Sequence, residues 1–163
     1  MKLIEEFPVR QQRNKHDCSV CVIWCVLQYF GIEFAYREMY NFVDPPTDMD
    51  KGVTGEEIVK ILKKFGIKTV YEKSNILKLQ SYSKNKFPVI VSIQYRKERN
   101  KSWKDTNKYG HYIVILEVKK GKVKYMDPNY GKIRSLTIED FKDRWHDGDE
   151  NEYYQYPAIV CIF

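Results

Sequence analysis

The chain has little of what several protein classes require. Four cysteines among 163 residues are too few for a disulfide scaffold. No apolar run approaches the roughly 18 residues that span a bilayer. The opening "MKLIEEFPVR" lacks the apolar stretch of a signal peptide. The expectation is a cytoplasmic protein with free thiols and no membrane span. No long linker, repeat or low-complexity tract interrupts the chain, so residues 1–163 are expected to form a single domain, long enough to bury most of its apolar surface. The net charge is +6, but the basic residues are scattered through "KILKK", "RKERNKSWK" and "KKGKVK", without an RNP, zinc-finger or helix-turn-helix signature. Nucleic acid is therefore not an expected partner. A solvated lysine-rich surface accounts for the charge, with a basic groove for an acidic partner as the alternative.

What is present is an ordinary balance of 43% hydrophobic and 31% charged residues, with an aromatic share of 15% led by 13 Tyr. Tyrosine has an apolar ring and a wet hydroxyl, so many of these should be half-buried or line a groove. From Cys18 to Phe30 apolar residues recur nearly all round, which predicts a buried helix with Asp17 as N-cap and Gly31 as its stop. A short helix is expected over Tyr36 to Phe42, and "VDPPTDMDKG" is a loop. "TGEEIVKILKKFG" opens with a capping box, Thr54 with Glu57, and ends at Gly66. "IKTVYE" alternates as a strand, and a short helix follows around Ile76 to Tyr82. Then the period changes. "FPVIVSIQY" is a buried strand, and "RKERNKSWKDTNKYG" is a polar loop of a length that is often functional. "HYIVILEV" and "KVKYMD" read as a hairpin, "GKIRSLT" as a strand, "TIEDFKDRW" as a helix capped by Thr137, and "PAIVCIF" as a buried strand. Helices followed by a mostly antiparallel sheet make the class α+β.

Three of the four cysteines fall together, at Cys18, Cys21 and Cys25. A metal site would need a fourth ligand and turn-rich knuckles, whereas these thiols sit inside a continuous apolar helix pattern; no metal is expected. A Cys18–Cys21 redox pair at a helix N-terminus is chemically sensible, but the preceding "RQQRNKHD" cannot be the core strand such sites follow. Cys21, Cys25 and Cys161 read as packing residues. Cys18 differs because it occupies the first helical turn, where unpaired backbone N–H groups can support a thiolate and a developing oxyanion.

A nucleophilic cysteine needs a base and a residue to orient that base. His16 lies in the approach loop, and His146, in "RWHDGD", is expected to face solvent at a helix end. His111, after Gly110 at the start of an apolar strand, is the better candidate, with Asp127 in the partner strand. Their pairing depends on the hairpin. A type I turn at Lys119–Lys120 with Gly121 as a left-handed bulge residue would set Asp127 opposite Ile113 and on the same face as His111, within reach. A tight two-residue turn at Lys120–Gly121 would put the two on opposite faces.

These segments resemble the C39 peptidase family, in the papain-like cysteine protease superfamily. "QRNKHDCSVCVIWCVLQYFG" is similar to its nucleophile segment, a Gln followed by Asp-Cys-Gly opening a helix. "GHYIVILEVKKGKVKYMDPNYG" is similar to its second half, Gly-His, a strand, then Asp-Pro and Gly. "SLTIEDFKDRW" resembles the helix that follows. The resemblance implies a papain-like fold with the nucleophile helix packed on the sheet, and an enzyme without a cofactor that acts on a peptide or protein. It assigns Cys18 as nucleophile, His111 as base, Asp127 as orienter and Gln12 as oxyanion donor, with adjacent Gln11 as the alternative donor. Substrate contacts are expected at Ser19 and Gly110, and, because loop 96–110 ends at His111, at Trp103 and Tyr109, with surface anchoring as the other role for these two aromatics. Ser19 stands where the family usually has Gly, and Cys21 where Ala is common. Family members often form the front end of peptide exporters and cut leader peptides after a double glycine. The rival readings are a peptide-binding module without turnover, or a thiol oxidoreductase using Cys18 and Cys21.

Overall fold

The helix that the apolar pattern predicts runs over Cys18–Tyr29 (α2), after a short α1 at Leu3–Glu6. Eight of the twelve α2 residues are buried, so its stability comes from packing on all sides rather than from a single amphipathic stripe. It stops where predicted. Gly31 takes φ +78, and the N–H groups of Gly31 and Ile32 return to the carbonyls of Gln28 and Leu27. This closure needs a left-handed residue, which glycine adopts without a Cβ penalty. The coordinates are a computed structural model describing residues 1–46, 52–148 and 153–163.

The start of α2 departs from expectation. Asp17 has φ −91 and ψ 14 and makes no side-chain cap. Its buried carboxylate turns back instead, accepting hydrogen bonds at Oδ2 from the Asn14 backbone (3.2 Å), Asn14 Nδ2 (2.9 Å) and Tyr36 Oη (2.9 Å). A buried carboxylate requires several donors, and these lie in the preceding loop and in the next helix rather than in α2.

That next helix is Tyr36–Val43 (α3), and Gly55–Lys64 (α4) follows with the predicted capping box. Thr54 N–H donates to Glu57 Oε2 at 2.7 Å, and Glu57 N–H to Thr54 Oγ1 at 3.3 Å. Of the loop "VDPPTDMDKG", residues 47–51 lie outside the described residues. The rest of the chain supplies β1 (Lys68–Lys73), α5 (Ile76–Lys84), β2 (Val89–Gln94), β3 (Gly110–Lys119), β4 (Lys122–Asp127), β5 (Lys132–Thr137), α6 (Ile138–Arg144), β6 (His146–Gly148), β7 (Tyr153–Gln155) and β8 (Pro157–Ile162). Six strands form one antiparallel sheet in the order β1-β8-β2-β3-β4-β5, while β6 and β7 pair separately. The architecture is α+β, as expected.

Both faces of the central strands are covered, which explains their unbroken apolar reading. Ile90, Val114, Met126 and Ile159 pack with α2, α3 and α4 in one core. Val89, Val91, Ile113, Ile115, Tyr125 and Val160 pack with Leu79 of α5 and with Phe141 and Trp145 in the other. His146 is a correction. It is buried rather than solvent-facing, because the chain leaves α6 directly into β6, where the ring bonds the Thr106 carbonyl at 2.5 Å.

The β3–β4 hairpin reaches the required register by an unexpected route. Lys119 pairs with Lys122, so the turn is the tight two-residue Lys120–Gly121, both with positive φ (50 and 72). Alone it would separate His111 from Asp127. The ladder shifts between Ile115 and Glu117, however, leaving Leu116 as an extra unpaired residue. Beyond this bulge Ile115 faces Tyr125 and Val114 faces Met126. Continuing outward, Asp127 falls opposite Ile113 and on the face of His111.

Candidate active site

Strand β3 begins and β4 ends at the same edge of the sheet, which sets His111 and Asp127 side by side. The pair is buried, each side chain 6% exposed, and His111 Nε2 donates to Asp127 Oδ1 at 2.8 Å. Cys18 lies close enough to His111 for its thiol to act on the imidazole's titration. Burial alone would lower the imidazole pKa. The Asp127 bond and the hydrogen bond and charge of Cys18 outweigh it and push the value up to about 9. Asp127 moves the other way: burial would raise its pKa, but the bond to His111, that residue's charge, the Asn129 N–H and Arg134 hold it below the usual carboxylate range. Asn129 N–H meets Oδ1 at 3.0 Å and Arg134 Nη1 meets Oδ2 at 3.3 Å. Sequence reasoning missed both donors. The Asn129 bond belongs to the turn after Asp-Pro, and Arg134 arrives through the β4–β5 register, where it lies opposite Tyr125.

Cys18 is the one partly exposed thiol of the four. Cys21 and Cys25 are fully buried beneath it. Cys21 Sγ bonds the Arg10 carbonyl at 3.5 Å, and its interaction with Cys25, then burial, drive its pKa far above an ordinary thiol. Cys161 is likewise raised by burial. Among the described residues the Cys18 backbone N–H donates to no protein group, as expected in a first helical turn whose side-chain cap is absent. Among those residues, too, no group of three or more His, Cys, Asp or Glu side chains is disposed to hold a metal ion.

The segment before α2 is fastened to the turn after β4. Gln12 N–H donates to the Pro128 carbonyl at 2.8 Å, and Gln11 Nε2 donates to the Asn129 carbonyl at 3.3 Å. Gly131 makes this clasp possible, since a Cβ there would fall 2.7 Å from Gln11 Cβ. Gln11 is exposed and Gln12 half-buried. Gln12 Nε2 donates to the Asn14 carbonyl at 2.8 Å, and Oε1 is buried without a partner among the described residues.

The expected substrate contacts divide. Ser19 is buried, 2% exposed, because the second helical residue turns into the core; it offers no open face, and that expectation is corrected. Gly110 is exposed, and a Cβ on it would meet Asp147 Oδ1 at 2.8 Å, so its lack of a side chain lets Asp147 lie against the start of β3. Tyr109 reaches His111 through Tyr95: the Tyr109 and Tyr95 rings are 5.9 Å apart, and Tyr95 meets the imidazole edge-on at 5.7 Å. Trp103 instead lies under the Arg144 guanidinium at 4.4 Å, which ties the long loop to α6. Loop 96–110 is also held by Glu98 and Asn107 N–H groups bonded to Thr106 Oγ1 and Glu98, and by Tyr109 N–H bonded to buried Gln94 Oε1 at 2.9 Å. His16 is exposed in the approach loop.

A profile of the Peptidase C39 family matches residues 6–148. The chain is 24% identical over 136 residues to the SPbeta prophage-derived sublancin-168-processing and transport ATP-binding protein SunT of Bacillus subtilis (strain 168), covering 83% of this chain but only 17% of that relative. Its fold is similar to the peptidase domain of Streptococcus ComA, a bifunctional ABC transporter of a quorum-sensing pathway, with a TM-score of 0.71 at 20% identity over 96% of this chain and 98% of that one. It is also similar to a double glycine motif protease from an AMS/PCAT transporter, solved with its leader peptide, with a TM-score of 0.66 at 16% identity over 95% and 90% of the two chains.

Proposed function

The chain belongs to the peptidase C39 family of cysteine peptidases, and from that membership we propose that it cleaves a peptide with Cys18 as nucleophile, His111 as acid and base, and Asp127 as the group that orients His111. The observation that carries the assignment is the position of His111, buried and bonded to Asp127 Oδ1 at 2.8 Å beside the partly exposed Cys18 at the start of α2, with Cys18 among the groups that raise the imidazole pKa. The Cys18 thiolate adds to the scissile carbonyl carbon. The carbonyl oxygen becomes an oxyanion and takes the free Cys18 N–H, with Gln12 as second donor once its side chain leaves the Asn14 carbonyl. Protonated His111 gives its proton to the departing amine as the C–N bond breaks, leaving a thioester on Cys18. Neutral His111 then removes a proton from water, the hydroxide oxygen bonds to the acyl carbon, and the carboxylic product leaves as the thiolate and imidazolium re-form. Asp127 keeps Nδ1 aimed at sulfur throughout and supports the positive ring.

The substrate in this reading is a leader peptide cut after paired glycines, supported by the processing roles named for SunT and for the AMS/PCAT protease. The buried Cys21 speaks against a Cys18–Cys21 redox cycle, whose second thiol must be ionisable. The test is cleavage of a Gly-Gly-containing peptide by the wild type and by Cys18→Ala, His111→Ala and Cys21→Ala variants. Loss in the first two but not in the third is expected. Full activity in Cys18→Ala would refute the assignment.

A further inference from the structure

Two lines of contact lead outward from the residues assigned to catalysis, and each ends on an arginine. On the helical side, Asp17 precedes Cys18 and accepts from Tyr36 Oη at 2.9 Å, and the Arg13 guanidinium lies over the Tyr36 ring at 4.6 Å. On the sheet side, His111 meets Tyr95, Tyr95 meets Tyr109, and the Arg96 guanidinium lies over the Tyr109 ring at 5.4 Å. We infer that Arg13 and Arg96 are specificity residues that receive carboxylates of an acidic peptide, one on the helical side and one on the sheet side of Cys18 and His111. The inference rests on the peptidase reading and names the class of peptide it would take.

Three observations carry it. Both arginines are exposed, and among the described residues neither pairs with a carboxylate, although Lys101 and Lys104 of the same loop are paired with Glu98 and Asp143. A guanidinium resting on an aromatic face has surrendered much of its rotamer freedom already while its N–H edge stays available for a carboxylate. Finally, the flanking charge is predominantly basic. Residues 10–16 carry Arg10, Arg13 and Lys15 with no acid, and residues 96–108 carry six basic residues against Glu98 and Asp105. Asp147, the carboxylate beside Gly110, takes the Gly148 N–H at 2.8 Å. Each arginine thus rests on a ring one contact removed from the residues assigned to catalysis, Tyr36 through Asp17 and Tyr109 through Tyr95.

The test separates binding from cleavage. A fluorescein-labelled Gly-Gly peptide with glutamates on both sides of the pair is titrated onto the full Cys18→Ala chain beside its Glu→Gln counterpart, with anisotropy as readout. The glutamate peptide should bind about tenfold tighter at low salt, with the preference collapsing as salt rises to about 0.5 M. In Arg13→Gln and Arg96→Gln variants, made in the same Cys18→Ala chain, the ratio of the two affinities should fall toward one; a ratio taken within each variant is insensitive to any fraction misfolded. Equal binding of the two peptides, or a salt-dependent preference that survives both arginine substitutions, overturns the inference. Failure of the wild-type chain to cut either peptide while the preference holds would count against the peptidase reading alone.

Discussion

The Gln12 backbone N–H donates to the Pro128 carbonyl, one residue beyond Asp127, at 2.8 Å. The segment that leads into α2 is thereby buttoned onto the turn that follows Asp127. Components that lie 115 residues apart in the chain, from Gln12 to Asp127, are thus joined directly, in addition to the packing of α2 on the sheet.

The nucleophile assignment predicts a sharp contrast among neighbouring cysteines. Cys18→Ala and His111→Ala should each lower kcat/KM by about 10³-fold or more. Cys21→Ala removes a buried thiol bonded to the Arg10 carbonyl and should act on thermal stability instead. Iodoacetamide labelling followed by peptide mass mapping gives an independent check: Cys18 should alkylate rapidly at neutral pH and the buried Cys21, Cys25 and Cys161 slowly.

The pKa of His111 fixes a direction of pH dependence. Folded, the group titrates near 9; unfolded, it returns to about 6.5. Because the folded value is the higher one, its contribution to stability is complete below about pH 6.5 and is lost as pH rises through about 9. Denaturant unfolding between these limits should show stability declining with pH, and kcat/KM should fall on an alkaline limb near 9. In Asp127→Asn, which removes the carboxylate bonded to His111, the limb should move to lower pH. An alkaline limb left in place by that change would contradict the coupling.

Arg134 reaches Asp127 Oδ2 at 3.3 Å while its guanidinium rests on Tyr130 at 4.3 Å, which makes it a positioning residue. Arg134→Met should reduce kcat by about tenfold, the order expected for losing one charge-assisted hydrogen bond. It should also raise the pH at which activity appears on the acid side, since Asp127 then loses a cation that lowers its pKa. Arg134→Lys should restore part of both. A loss of stability with an unshifted pH profile would mean that the residue only packs.

Tyr36→Phe leaves the ring beneath Arg13 but removes the hydroxyl that donates to buried Asp17. The carboxylate keeps its two Asn14 donors, and the change should destabilise the chain by about 1–3 kcal/mol. Thermal melts monitored by circular dichroism measure the loss.

Most of the fold was legible because its signals are local and strong. The capping box at Thr54, the glycine stops at Gly31 and Gly66, and the two-sided apolar strands each depend on a few adjacent residues. Several of the misreadings involve partners distant in sequence. Asp17 looks like a cap, and only the arrival of Tyr36 shows where its carboxylate goes. His146 looks like a solvent-facing helix end, and only the fold of loop 96–110 brings the Thr106 carbonyl to it. Ser19 was expected to meet substrate because it stands where the resembled family usually has Gly, and it is buried. Arg134, Asn129 and Tyr95 were invisible as site residues because strand register and turn geometry deliver them, not motif spacing. The juxtaposition of His111 and Asp127 was anticipated, but by a different turn.

That detour has a consequence for how the hairpin can change. One unpaired residue at Leu116 offsets a two-residue turn at Lys120–Gly121, so what keeps His111 and Asp127 together is the parity of the hairpin, not its length. Residues can be added or removed at its tip in pairs without disturbing the pair below. A single insertion or deletion between the paired residues of the two strands sends one partner to the opposite face of the sheet, unless a second odd change in the same strands brings it back.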